Sequence, residues 1–155
     1  MFKLSKISFL LIAILVSASF AKTGNAQQTT TLTVVVNGIK HQKGQICLGI
    51  YPNEKGFPLS TKNVIKSACK PITGTSLKEQ FSGFKPGNYA VAVVDDQNGD
   101  RQLNKDFFGI PKEGFGISNN PTVSITTGTP KFSKASFSLL KNTTVNIDMK
   151  YGLDP

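Results

Sequence analysis

Residues 86–120 read PGNYAVAVVDDQNGDRQLNKDFFGIPKEGFGISNN. The opening Pro-Gly-Asn closes a turn signal that begins at Ser82. Tyr89 to Val94 is then apolar on both faces, with Tyr89, Val91 and Val93 on one side and Ala90, Ala92 and Val94 on the other. A strand of that kind belongs in the middle of a packed structure. It ends at Asp95 in an acidic, amide- and glycine-rich loop that runs to about Pro121. Five of the nine carboxylates in the chain lie between Asp95 and Glu113. So long a loop in a compact domain is a binding loop, a lid or disorder. The aromatics Phe107, Phe108 and Phe115 argue for an ordered excursion, clamped onto the body by those rings and Ile110.

Outward from this strand the pattern stays β. Leu32 to Asn37 places Leu32, Val34 and Val36 on one face, and Gln45 to Tyr51 alternates around Ile46, Leu48 and Ile50. Val64 to Lys70 is a weaker strand that would bring Cys69 beside the second one. Leu77 to Phe81 carries Glu79 among its apolar positions and reads as an edge strand. Strands resume weakly at Thr122–Thr126 and Ala135–Leu139. In Thr143–Tyr151, Val145, Ile147, Met149 and Tyr151 share the inward face. About seven short strands with Gly/Pro/Asn turns, and no helical period after the N-terminal segment, predict an all-β fold, an antiparallel immunoglobulin-like β-sandwich with one long ordered loop.

The first 26 residues read as a secretory signal: Lys3 and Lys6, an apolar run from Ile7 to Val16, and small residues leading to Ala26. The apolar run is about half the ~20 residues of a spanning helix. Residues 27–155 are then expected to form a single domain, exported to the periplasm or secreted, with no transmembrane segment. Loss of Lys3, Lys6 and Lys22 lowers the net charge from +9 to +6. The remaining lysines are scattered and not interleaved with aromatics, which argues against nucleic acid as a partner. Cys47 and Cys69 in an exported domain are expected to form a disulfide.

Asp96, Asn98 and Asp100 are spaced by two, and Asn104 continues the series. Alternate oxygens in a tight loop suit Ca²⁺, so these four are the candidate metal ligands. On the helix–loop–helix calcium pattern, Arg101 occupies the place of the turn glycine and Phe107 that of the final glutamate. The competing reading is an Asx-rich turn bonded to its own backbone. No nucleophile elbow, zinc motif or phosphate loop is present. Asp95 and Asp96, adjacent on a strand, face opposite ways, and His41 reads as a solvent-exposed loop residue.

The run FSGFKPGNYAVAVVDDQNGDRQLNKDFFGIPKEGFGISNN resembles the core signature of an exported bacterial family, domain of unknown function 2141. That family's usual run is His-Asp-x-Asn-x-Asn-Gly-x-Leu-Asp, then Gly-Ile-Pro-x-Glu-Gly-x-Gly-x-Ser-Asn-Asn. Gly109 to Asn120 match the second part, and Phe81, Pro86, Gly87, Tyr89 and Ala90 match before it. PKFSKASFSL and Met149-Lys150-Tyr151 are also similar. Departures fall in the acidic loop: Asp95 stands where the family often has His, Asp100 where it has Asn, Arg101 where it has Gly, and Asn104 where it has Asp. The resemblance implies an exported sandwich akin to transthyretin-like and carboxypeptidase-regulatory-like modules, with no assigned activity.

These features predict a non-catalytic binding or structural module whose recognition surface is the 95–120 loop. The candidate contact residues are Asp95, Asp96, Asn98, Asp100, Asn104, Phe108, Glu113 and Asn119. The partner would be a protein or an envelope polymer, and no cofactor is expected. The alternative is a sandwich stabilised by Ca²⁺ at Asp96, Asn98, Asp100 and Asn104. An envelope-polymer enzyme would require the fold to gather Asp95, Asp106 or Glu113 in one cleft.

Overall fold

The computed structural model describes residues 29–155, so the expected signal segment, 1–26, lies outside the described residues. Two β-sheets face each other. The first has the order β4-β1-β8, from β1 (Thr30–Asn37), β4 (Ser76–Phe84) and β8 (Thr143–Asp148). The second has the order β3-β2-β5-β6, from β2 (Gln45–Tyr51), β3 (Lys66–Pro71), β5 (Gly87–Asp96) and β6 (Phe115–Ile117). The short β7 (Phe137–Leu139) also pairs with β5. One 3-10 turn (Thr61–Asn63) and one turn of helix, α1 (Phe132–Ala135), complete the elements.

The core lies between the sheets and follows the alternation in sequence. Leu32, Val34 and Val36 from β1 meet Ile46, Leu48 and Ile50 from β2, Val91 and Val93 from β5, and Ile147 from β8, all essentially fully buried. Each such side chain contributes roughly 1.5–3 kcal/mol relative to exposure. β5 is central as expected, hydrogen-bonded to β2 on one side and to β6 and β7 on the other. β4 is an edge strand, as Glu79 suggested.

Cys47 and Cys69 sit directly opposite each other on β2 and β3 and are joined, S–S 2.02 Å. Closing a loop of 22 residues stabilises by about 3 kcal/mol in the chain-entropy model.

The structure departs from the sequence reading in five places. The strand pairs are antiparallel except β1 with β8, which run parallel from Leu32↔Thr143 to Asn37↔Asp148. That pairing joins distant segments, so no turn signal encodes it. The 95–121 loop contains β6, obscured by Gly114 and Gly116, since glycine weakens strand propensity. Thr122–Thr126 is not a strand, because Ser124 forms a local turn in which its hydroxyl bonds Thr126 and Thr127. The Ser82–Asn88 turn narrows to Lys85–Pro86. Of Ala135–Leu139, only Phe137–Leu139 is extended.

β6 also ties the sheets together. Phe115 and Lys150 exchange backbone hydrogen bonds of 2.9 and 2.7 Å just beyond the end of β8. Among the described residues no helix is long and apolar enough to cross a membrane.

Candidate functional site

Asp95 and Asp96 end β5 and serve different faces. Asp95 continues the inward register of Tyr89, Val91 and Val93 and is fully buried. Its Oδ2 lies 2.8 Å from His41 Nδ1 and accepts a 2.6 Å hydrogen bond from the Tyr151 hydroxyl, while Oδ1 accepts from the Gln97 side-chain Nε2. The Tyr151 hydroxyl in turn accepts from the Lys40 amide at 2.8 Å, and its ring meets His41 edge-on with centroids 5.2 Å apart. Burial first, and the Asp95 carboxylate second, push the Tyr151 hydroxyl up to about 12. A carboxylate in a dry interior needs such partners.

Gly114 makes this arrangement possible. A Cβ there would lie 2.5 Å from the Tyr151 ring, and one at Gly116 would lie 2.6 Å from Ile147 Cγ2. The two glycines of Glu-Gly-Phe-Gly therefore mark close approach of β6 to the end of the chain.

Asp96, on the opposite face and also fully buried, organises the loop. Its carboxylate accepts from Gln45 Nε2 at 2.7 Å, from the Gly99 amide at 2.8 Å and from the Arg101 amide at 3.1 Å. Cys47 Sγ lies 3.7 Å from it, a packing contact, because a disulfide sulfur has no proton to donate. Buried Glu113 clamps the loop's two ends, accepting from the amides of Gln97 (3.1 Å) and Asn104 (3.0 Å). Asp100, exposed, accepts from Asn98 Nδ2, Asn104 Nδ2 and the Gln102 amide, bonds that hold its carboxyl below the usual range.

Of the four candidate calcium ligands, the structure gathers Asn98, Asp100 and Asn104 and sends Asp96 into the interior. Their oxygens accept from N–H groups of the same loop and of Gln45. No group of three or more His, Cys, Asp or Glu side chains is placed to hold a metal among the described residues. Asp95 and Glu113 both bond Gln97, one its side chain and the other its backbone amide, while Asp106 bonds within the finger, and none of the three lines the cleft over the second sheet or the cavity that adjoins it.

Beyond the clamp, residues 104–112 form a hairpin-like finger. Lys105 pairs with Pro111, the Lys112 amide donates to Asn104 O at 2.9 Å, and Asp106 Oδ1 accepts from the amides of Phe108 and Ile110, each at 2.9 Å. Gly109, at φ +80°, turns the tip. The expectation that Phe107 and Phe108 clamp the loop is corrected: they are 97 % and 83 % exposed. Phe115, buried in β6, does the clamping. Asn119 is not part of this surface; its side chain donates to Lys134 O and Ser136 O and secures α1.

A cleft of about 710 Å³ lies over the outer face of the second sheet. Its floor includes Gly49, Ala92, Val94 and the Cys47–Cys69 bridge. One wall is Pro58, Leu59 and Val64, and the other is the loop at Asp100–Leu103. A second cavity of about 250 Å³ adjoins it beneath Phe108 and Ile125 and shares Pro58, Leu59, Leu103, Phe115 and Ile117 with the first. His41, Asp95 and Tyr151 line neither.

Arg101 stands at the cleft's lip. It is the only arginine in the sequence, it is exposed, and it forms no ion pair with any carboxylate among the described residues. Its backbone has φ +62°, the left-handed conformation that the calcium pattern reserves for glycine. Sequence reasoning treated Arg101 only as a mismatch and did not select His41 or Tyr151. His41 is in fact a half-buried partner of Asp95, correcting its reading as a free loop residue. The register of β5 carried the signal: a carboxylate on the inward face requires buried donors.

Over residues 34–148 the chain matches the model of a family described as "Uncharacterized protein conserved in bacteria (DUF2141)". No curated protein and no solved structure matches it. The matched span runs from β1 to the end of β8 and takes in the cleft, the loop and the finger. The chain belongs to this bacterial family, DUF2141.

Proposed function

We propose that this protein is an exported, non-catalytic binding module, periplasmic or secreted, that holds an amphipathic ligand in the cleft beneath its 95–120 loop. The ligand has an apolar chain and one negatively charged end. The observation that carries this reading is the Arg101 guanidinium, without an ion pair among the described residues, at the lip of a cleft whose floor at Gly49, Ala92, Val94 and the disulfide carries no charged side chain. A volume of about 710 Å³ falls within the ~300–1,000 Å³ of small-molecule sites.

The floor strands spend their backbone groups on the ladder, with β2 paired to β3 and β5, and β5 to β6. A peptide laid there would find few partners for its amides, whereas an aliphatic chain needs none. Among the described residues Arg101 is the one cation lining this cavity, and the Asp100 carboxylate beside it is taken up by Asn98, Asn104 and Gln102, so the guanidinium is left to pair with a monoanion such as a carboxylate. The disulfide supports an oxidising compartment. The non-catalytic reading is supported by the absence of Asp95, Asp106 and Glu113 from the lining of either cavity and by a His41 whose hydrogen bond is spent on Asp95.

Titration calorimetry with dodecanoate, below its micelle-forming concentration, tests this. Saturable binding is expected, weakened at least about tenfold by Arg101→Gln, the scale of one charge-assisted hydrogen bond. No binding, or equal binding by the variant, rejects the reading.

A further inference from the structure

The finger at 104–112 presents its two rings to solvent, with Phe108 at the rim of the second cavity. Phe107 and Phe108 pack edge-to-face on each other, centroids 5.6 Å apart, and the turn beneath them is fixed by Asp106. Lys105 and Lys112 stand on the two arms, both exposed and without an ion pair among the described residues. Ile125, 84 % exposed, lies across the second cavity from Phe108.

We infer that this finger docks the protein on an anionic lipid surface, inserting Phe107 and Phe108 at the headgroup boundary with Lys105 and Lys112 against the charged headgroups. Area decides between this and a protein partner. A phenylalanine presents at most about 150–250 Å², so two rings fall well short of the ~800 Å² that each side of a stable protein interface contributes. Two aromatic rings on a convex, pinned tip suffice for shallow insertion, and flanking cations select acidic lipid. The inference does not depend on the cleft being occupied.

The chain has no tryptophan, so Phe108→Trp introduces a single indole at the tip. With phosphatidylcholine vesicles containing phosphatidylglycerol, its emission shifts to the blue and is quenched by lipids brominated on their acyl chains. Because the signal is read at position 108, association through another segment does not produce it. In vesicle sedimentation, Phe107→Ser/Phe108→Ser lowers partitioning at least about tenfold, and Lys105→Gln/Lys112→Gln removes the preference for phosphatidylglycerol. The rings are exposed, so the phenylalanine variant keeps the wild-type melting midpoint. Absence of acyl-chain quenching, or wild-type partitioning by the serine variant, overturns the inference. Dodecanoate titration is a separate readout, so failure of one proposal leaves the other standing.

Discussion

His41 Nδ1 and Asp95 Oδ2 are 2.8 Å apart although 54 residues separate them in sequence. This contact, with the Tyr151 hydroxyl on the same oxygen, fixes the β1–β2 connection and the chain's last turn to the end of β5. Removing the carboxylate with Asp95→Ala leaves His41, Tyr151 and Gln97 without their shared partner, and is expected to cost at least about 3 kcal/mol. Tyr151→Phe removes the hydrogen bond to that carboxylate and the acceptor of the Lys40 amide, and is expected to cost about 1.5–3 kcal/mol. Urea unfolding of the two single variants and the double checks both. A double-variant loss smaller than the sum marks the two residues as coupled.

The same cluster sets an alkaline limit. Tyr151 is held protonated in the fold, from an ordinary 10.0 up to about 12, so the folded state binds the proton more tightly than the unfolded chain. That contribution is complete below about pH 10 and is lost as pH rises through 12. Melting midpoints measured across this window should fall, and Tyr151→Phe, less stable at neutral pH, should show a flatter decline.

Gly114 and Gly116 tolerate no added methyl group without movement of Tyr151 or Ile147. Gly114→Ala is expected to destabilise by about 1–3 kcal/mol, the usual cost of overpacking. It should also weaken the Tyr151–Asp95 bond, visible as a lowered tyrosinate pKa in ultraviolet titration. Unchanged stability and pKa would show that the ring has room to shift.

Arg101 occupies a glycine conformation, so Arg101→Gly relieves left-handed strain and is expected to raise stability by about 1 kcal/mol. The same change removes the cation from the cleft and should abolish the charge-dependent part of dodecanoate binding. Thermal melting and calorimetry on one variant read both effects. A gain in stability with a loss of binding is the pattern expected of a functional residue held under strain.

Reducing Cys47–Cys69 should cost about 3 kcal/mol, or roughly 10 °C in melting midpoint. The bridge joins β3, an edge strand, to β2 and forms part of the cleft floor. Hydrogen exchange should therefore rise first in Lys66–Pro71, with β5 remaining protected.

The strand-forming segments were legible because their alternation is local. Gln45–Tyr51 matches β2 end to end, and the burial of Tyr89, Val91 and Val93 follows their parity. Legibility failed where tertiary contact decided the outcome. The glycines around Phe115 disguised β6, and the parallel pairing of the first and last strands has no turn to announce it. At the site, alternating Asx residues correctly marked a tight loop. The sequence could not show that Glu113 closes that loop or that Arg101 stands at a cleft, because both depend on how 97–112 folds back over the second sheet.

The proposed function requires the loop and the outer face of the second sheet to form one recognition surface. The most direct test is amide chemical-shift mapping of the protein titrated with dodecanoate. Progressive shifts are predicted at Gly49, Ala92 and Gly116 in the floor and at Arg101–Leu103 on the lip, with β1, β4 and β8 unmoved. Shifts centred on those three strands, or none at saturating ligand, would contradict it.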